Sequence, residues 1–430
     1  MTLKSRIVLI VCGLVIFLIL APTAVFLARG YTFDFENKRL VKTGALVVKT
    51  EPKGAEVFLN GKSLGKTNLT RRFVRPGEYH LEISATGFEA WRKKITVHEQ
   101  LVAYAPSDKS KIYLFSQNKT QTPLATNTLD FITKDSDIFL LKPDKILRTS
   151  NTGSGMQEIF ATSTTAFQNL TITDFAANSL RQSHLLLGFS ENSWFINSNS
   201  AALLPPGYTN PKLKRDSDNI YALNAQNQLT ELDHSGNPKI LRDKVQNFNA
   251  EYGLYYISLA TSTPQFLQMV SEKEDKVLLD NMPLFSQSQI IVSPDRQIFL
   301  LLDTDLYQVA DKLVKINGNV KFAFWDEQGK CLLYGNDHEV WIFDPLGSER
   351  NVLVTRSAEN LRQAVFNIET GYLFVATSNN IKAIEFDKSG QPNVYTMIET
   401  ENPITKFAVN PEADSLIYLA AQNLYSLKIR

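Results

Sequence analysis

Hydrophobic and polar positions follow two different rhythms along this chain. Ile7 to Ala28 reads IVLIVCGLVIFLILAPTAVFLA, without one charged side chain. As a helix rising about 1.5 Å per residue it would extend roughly 33 Å, against a hydrocarbon core of about 30 Å. The run therefore predicts a transmembrane helix over 7–28 behind a cytoplasmic tail over 1–6. From Gly44 onward the rhythm changes to short apolar and β-branched runs broken by Gly, Pro, Asn and Asp, the pattern of strands and turns. No helix-period stretch of useful length follows, so the expected fold class is mainly β and an α/β enzyme architecture is disfavoured.

Between Gly44 and Tyr104 the runs ALVVKT (Ala45 to Thr50), AEVFLN (Ala55 to Asn60), EYHLEISA (Glu78 to Ala85) and WRKKITV (Trp91 to Val97) predict strands. Pro52, Gly54, Asn60-Gly61, Pro76-Gly77 and Gly87 separate them. Glycine accepts positive φ and proline presets φ for a turn, and Asn-Gly between two extended runs is the strongest short hairpin signal. A small antiparallel β-sandwich-like domain over 44–104 is expected.

The residues Thr50, Pro52, Gly54-Ala55, Val57, Asn60-Gly61, Gly65, Thr67, Pro76-Gly77, Tyr79 and Gly87-Phe88 resemble the PEGA domain, a small β-module of prokaryotic envelope and surface proteins. Lys53 stands where the name-giving glutamate would be, and Asn68 where a proline often follows the threonine. The resemblance implies an extracytoplasmic structural or adhesive module and carries over no catalytic residue. Gly61-Lys62-Ser63-Leu64-Gly65-Lys66-Thr67 also approaches a phosphate-binding loop. It is one residue short of that spacing, and Pro76 follows too soon for a helix whose amino terminus would hold the anion. The hairpin accounts for the same glycines.

Residues 105–128 turn polar, with one apolar island at Ile112 to Phe115, and are expected to be a linker. Beyond them four segments share one layout of apolar strand, acidic or glycine-containing turn, second strand, polar turn and third strand. They begin at Ile290, Phe322, Ala364 and Phe407, and weaker copies begin at Leu129, Ile172, Asp216 and Phe248. The spacing is close to the blade length of a β-propeller, and single repeats resemble those of TolB-type and WD40-like propellers. A seven- or eight-bladed β-propeller over 129–430 is expected, because radial packing covers both faces of each sheet and leaves only short edges.

Charge enters where it changes this picture. The chain has 45 Lys and Arg against 44 Asp and Glu, so no global field favours a nucleic-acid partner. Locally, residues 44–104 carry an excess of basic over acidic side chains, with Lys62, Lys66, Arg71, Arg72 and Arg75 in one cluster and Arg92-Lys93-Lys94 in another. Such clusters suit anionic headgroups or cell-wall polymers, or form a solvated face. Lys4 and Arg6 before the apolar run predict an amino terminus that stays cytoplasmic. The expected location is the cell membrane, single-pass, with the bulk of the chain extracytoplasmic. A cleavable signal peptide usually has a shorter apolar core of about 7–15 residues. A lipid-attachment role for Cys12 is disfavoured by its place inside the run.

Candidate chemistry is sparse. His80, His98, His184, His234 and His338 have no paired-ligand spacing, and the two cysteines, Cys12 and Cys331, cannot staple the fold. Gly153-Ser154-Gly155 lacks the strand and helix of a nucleophile elbow. The pairs Asp135 and Asp137, Asp216 and Asp218, and Asp303 and Asp305 continue into no calcium loop and read as turn formers. Trp194, Trp325 and Trp341 could stack on sugars or fill the space between sheets. No catalytic, cofactor-binding or metal-binding residue is singled out, and no cofactor or nucleotide is expected. The function expected is that of a membrane-anchored extracytoplasmic envelope protein that binds a protein or cell-wall polysaccharide partner without catalysis. The competing expectation is an exported propeller enzyme, a hydrolase or lyase acting on envelope glycans. A sensor is disfavoured, since only six residues precede the apolar run.

Overall fold

The computed structural model describes residues 3–34, 39–105, 111–134, 137–150, 153–162, 167, 170–177, 183–189, 192–196, 201–214, 219–233, 237–258, 265–270, 275–327, 330–345, 350–386 and 391–430. Contacts divide the chain into two compact units, one of residues 1–119, 385–395 and 430, the other of residues 120–384 and 396–429.

The first unit opens with helix α1 (Leu3–Ala28), which holds Pro22 in its interior. Its side chains are described from Ile10 to Phe26. No helix among the described residues is long and apolar enough to cross a membrane. The expected transmembrane helix over 7–28 and the single-pass cell-membrane location drawn from it, with cytoplasmic tail and extracytoplasmic bulk, are overturned by this finding.

After α1 come β1 (Tyr31–Asp34), β2 (Arg39–Lys42), β3 (Gly44–Val48), β4 (Thr50–Glu51), β5 (Glu56–Leu59), β6 (Lys62–Lys66), β7 (Leu69–Val74), β8 (Gly77–Ser84), β9 (Trp91–Val97), β10 (Val102–Ala105) and β11 (Ile112–Tyr113). They build a four-stranded sheet ordered β6-β5-β8-β9, a three-stranded sheet ordered β10-β3-β7, and two small pairs. The period-two pattern buries one face of each strand: Leu46, Val48, Val57, Leu81, Ile83 and Trp91 share one core, each large side chain contributing about 1.5–3 kcal/mol. Asn60 and Gly61, with φ of 48° and 76°, turn the chain from Leu59 into Lys62, which are paired; positive φ at both positions is what a two-residue hairpin turn requires. The domain departs from the antiparallel expectation at β10, which runs parallel to β3 with Val102 opposite Ala45. A parallel neighbour needs a long crossover, here the whole of β4 to β9.

The buried turns are stitched by hydroxyls. Thr50 Oγ1 donates to Pro52 O at 2.6 Å, so Thr67 Oγ1, which accepts from Ala55 N at 3.1 Å, donates to Thr50 Oγ1 at 2.6 Å. Segment 385–395 belongs to the same unit: Trp91 Nε1 donates to Glu385 at 2.9 Å, and Lys93 Nζ lies 3.2 Å from the other oxygen of that carboxylate.

Among the described residues eight further four-stranded sheets span 130–161, 171–203, 208–242, 245–282, 288–317, 322–356, 363–399 and 404–428, here numbered as blades 1 to 8; they belong to the second unit apart from residues 385–395 of blade 7, which are counted with the first. Inner strands pack on one another between blades 1 and 2, 2 and 3, 4 and 5, 5 and 6, and 7 and 8, and the inner strand of blade 8 returns to that of blade 1. Blade 8 takes its outer strand from the other end of the chain. Strand β12 (Thr120–Ala125), inside the stretch expected to be linker, pairs antiparallel with Asn423–Lys428. Seven of the eight repeats read from the pattern begin at or beside an inner strand. The one at Asp216 begins late, because the inner strand of blade 3 is Tyr208–Leu213.

Candidate binding site

Inner strands alternate buried with half-buried or exposed positions, and a buried polar group on them must find a partner. In this chain the partner is the next blade. Asn249 Nδ2 donates to Ile290 O at 3.1 Å, Gln289 Nε2 to Ala323 O at 3.1 Å, and Asn367 Nδ2 to Pro411 O at 2.8 Å. Phe366 N donates to Asp326 Oδ2 at 3.0 Å. Gln363 is used twice, donating to Phe407 O at 2.8 Å and accepting from Phe407 N at 2.9 Å. Asp130 closes the ring: one oxygen accepts from Ile172 N of blade 2 at 2.9 Å, the other from Lys406 Nζ of blade 8 at 2.9 Å. Each tie joins residues about one blade apart and leaves the strand's own ladder intact.

Within the arc of blades 6, 7, 8 and 1 these strands leave a cavity of about 460 Å³. Phe131, Phe324, Trp325, Val365 and Phe407 give it an apolar wall, while Asp137, Glu327 and Lys406 supply charge. Most of that charge is already matched. Lys406 is held by Asp130 and lies 5.8 Å from the Phe131 ring centre, Asp137 pairs with Arg148, and Glu327 accepts from Tyr252 OH at 2.7 Å. The buried indole N–H of Trp325 has no hydrogen-bond partner among the described residues, and its ring stacks on Phe299 at 6.1 Å. The volume is within the usual range for small-ligand or side-chain pockets, and the lining is apolar with a few fixed polar groups.

In the first unit, Thr50, Thr67 and the Asn60-Gly61 turn place the turn residues of the small domain as described above. The chain matches the PEGA domain family over residues 43–104. Residues 43–104 are a PEGA domain. No curated protein matches the chain. Among solved structures, the C-terminal WD40 domain of Sif2 aligns with a TM-score of 0.50 at 12% identity, covering 72% of this chain and 98% of that one. The Dos1 propeller aligns with a TM-score of 0.48 at 11% identity, covering 72% and 94%. At such identities the likeness shows the fold alone: beyond the PEGA domain the chain has a WD40-like propeller fold.

The residues singled out by sequence do not converge. His80 and His98 are exposed on the PEGA domain, and His338 is exposed with Nδ1 3.1 Å from Ser357 O. His234 and the side chain of His184 lie outside the described residues. The Gly61 to Thr67 stretch is the hairpin turn and strand β6. Ser154 sits in a turn, its hydroxyl 2.9 Å from that of Ser150. Asp303 Oδ1 accepts from Ser286 N and Gln287 N at 2.9 and 3.0 Å, and Asp305 pairs with Lys315 at 2.6 Å, so both are structural. Asp135, Asp216 and Asp218 lie outside the described residues. Of the tryptophans, Trp325 lines the cavity. Trp341 stacks on Tyr334 at 6.3 Å and donates to Glu339, and this bond and the Arg356 guanidinium hold the Glu339 carboxyl below its ordinary range. The side chain of Trp194 lies outside the described residues. Burial pushes the Cys331 thiol far up and leaves it unreactive. Among the described residues no group of three metal-ligating side chains forms.

Sequence reasoning missed the polar residues of the inner strands. Their signal is an Asp, Asn or Gln recurring at blade spacing on the inner strands, as Gln289 and Gln363 do in blades 5 and 7 and Asp326 and Asn367 do at the strand ends of blades 6 and 7.

Proposed function

We propose that this protein is a non-catalytic binding scaffold whose propeller holds a side chain or short segment of a protein partner in the cavity of blades 6, 7, 8 and 1. The observation that carries the reading is the cavity itself, about 460 Å³ with five aromatic or aliphatic walls. Its carboxylates support binding over catalysis. Asp326 is committed to Phe366 N and Asp137 to Arg148, whereas paired carboxylates for hydrolysis must be free to exchange a proton.

The half-buried Val365 lies on the cavity wall, so Val365→Arg fills the cavity without touching an inter-blade tie. Full-length protein and this variant, matched by circular dichroism and melting temperature, are to be compared in affinity capture from the source cells. Proteins retained by the parent and lost by the variant are the expected result. Retention of the same set by both refutes the channel as the site.

A further inference from the structure

The two basic clusters of the PEGA domain have different fates. Arg92 lies 2.8 Å from Glu82, Lys94 2.5 Å from Glu78 and Lys93 3.2 Å from Glu385, so that cluster is neutralised within its own unit. Lys62, Lys66, Arg71 and Arg72 are all exposed, and none of them forms an ion pair among the described residues. They sit on β6 and β7, which are consecutive in the chain and are each the outermost strand of a different sheet. Lysines on strand edges guard against aggregation, and that would account for charge alone.

It does not account for Phe73. Opposite the single residue Ala45, β7 carries two, Arg72 and Phe73, because Gly44 pairs with Val74 and Leu46 with Arg71. Phe73 takes a φ of 59° and remains 47% exposed. A bulky aromatic in the left-handed region is strained, and one left about half in water recovers only part of its burial in return. Thr70, Arg71, Arg72 and Phe73 line one shallow depression. Backbone strain held at an exposed aromatic between arginines marks a surface shaped for contact.

We propose that the β7 edge of the PEGA domain docks an extended acidic segment of a protein partner, with Arg71 and Arg72 engaging its carboxylates and Phe73 packing on an apolar side chain between them. Among the described residues the outer edge of β7 has no strand neighbour. A peptide is the anionic ligand that can use such an edge, since it alone brings backbone N–H and C=O groups at strand spacing; guanidinium forks match carboxylates two bonds at a time. This surface is independent of the propeller cavity, and either can fail without the other.

The test uses the full chain and a short fluorescent peptide of alternating Glu and Val, read by anisotropy at low salt. Binding is expected to weaken about ten-fold or more in R71E/R72E and to vanish for the same peptide with alternate backbone nitrogens methylated. Phe73→Gly is expected to weaken binding about five-fold while leaving the melting temperature unchanged or raised, since glycine adopts positive φ without strain. The proposal is overturned by equal binding of the methylated peptide, by displacement with inorganic tripolyphosphate at equal charge, or by no binding. It is likewise overturned if Phe73→Gly lowers the melting temperature and keeps the peptide, because the ring then serves the domain's own packing.

Discussion

Removing the Glu385 carboxylate is the sharpest perturbation available in the first unit. That group accepts from Trp91 Nε1 at 2.9 Å, from Asn393 Nδ2 at 2.7 Å and from Asn393 N at 3.2 Å, and faces Lys93 Nζ at 3.2 Å. The side chains of Lys93 and Glu385 are 2% and 6% exposed, so water cannot take over when one charge is deleted. Breaking a buried pair from one side costs about 3–5 kcal/mol, and the neutral donors would each lose a charge-assisted bond of about 1.5–3 kcal/mol. The two figures describe overlapping losses and do not add, so the pair figure sets the expectation. Glu385→Ala should therefore cost about 3–5 kcal/mol, whereas K93M/E385L, which removes both charges and keeps volume, should recover most of that loss. Hydrogen exchange over β9, which carries both Trp91 and Lys93, reads the local opening. Protection there should fall by about two to three decades in Glu385→Ala. A fall of less than about ten-fold, or a double variant as damaged as the single one, would mean that the pair is solvated and the reasoning wrong.

Three further outcomes follow from particular contacts. Gln363→Leu removes both bonds to the Phe407 backbone and leaves buried groups unpaired, so its urea midpoint should drop by the equivalent of about 1–3 kcal/mol. A Cβ on Gly335 would overlap the carbonyl oxygen of Glu339 and press on the Phe322 ring; since backbone cannot yield as a side chain does, Gly335→Ala should cost about 3 kcal/mol or more by the same assay. Tyr418 is 1% exposed and stacks on Tyr425 at 5.1 Å; burial first, and Tyr425 second, push its phenol from 10.0 up to about 12. A raised folded value means stability that is complete below the unfolded value and is lost as pH climbs to the folded one, so alkaline melts should show this loss in the parent and less of it in Tyr418→Phe.

Much of the architecture was legible because its causes are local. Asn60-Gly61 announces a hairpin since two consecutive positive φ values admit few other residues. The later blades repeat because the second strand of each is buried on both faces, as in Ile298–Leu302, Cys331–Gly335 and Tyr372–Ala376. Strand β12 escaped the same reading for a physical reason. It is the outermost strand of blade 8, exposed over Thr120 to Pro123, so it carries almost no apolar signal, and Pro123 is tolerated only at such an edge. Its partner lies at the far end of the chain, which no local pattern reports. Helix α1 shows the reverse error, a strong local signal taken for an environment: an apolar run predicts a helix, and the helix formed, but no helix among the described residues is long and apolar enough to cross a membrane.

The basic clusters show most clearly where sequence stops and structure begins. Counted along the chain, Arg71-Arg72 and Arg92-Lys93-Lys94 are alike. What separates them is pairing across β8 and β9, where Glu82 faces Arg92 in register, and the arrival of Glu385 from almost three hundred residues away. Charge composition therefore overstates the free charge of the β9 cluster and not that of the β7 edge. An anionic partner must discriminate on this difference, since only cations without a carboxylate of their own gain from a new one. Reversal of Arg92 should accordingly leave acidic-peptide binding almost unchanged while losing the pair with Glu82, and reversal of Arg71 and Arg72 should weaken binding about ten-fold or more with little loss of stability. If both reversals weakened the peptide equally, long-range field rather than the built edge of β7 would be responsible, and the salt dependence of the two variants would then coincide.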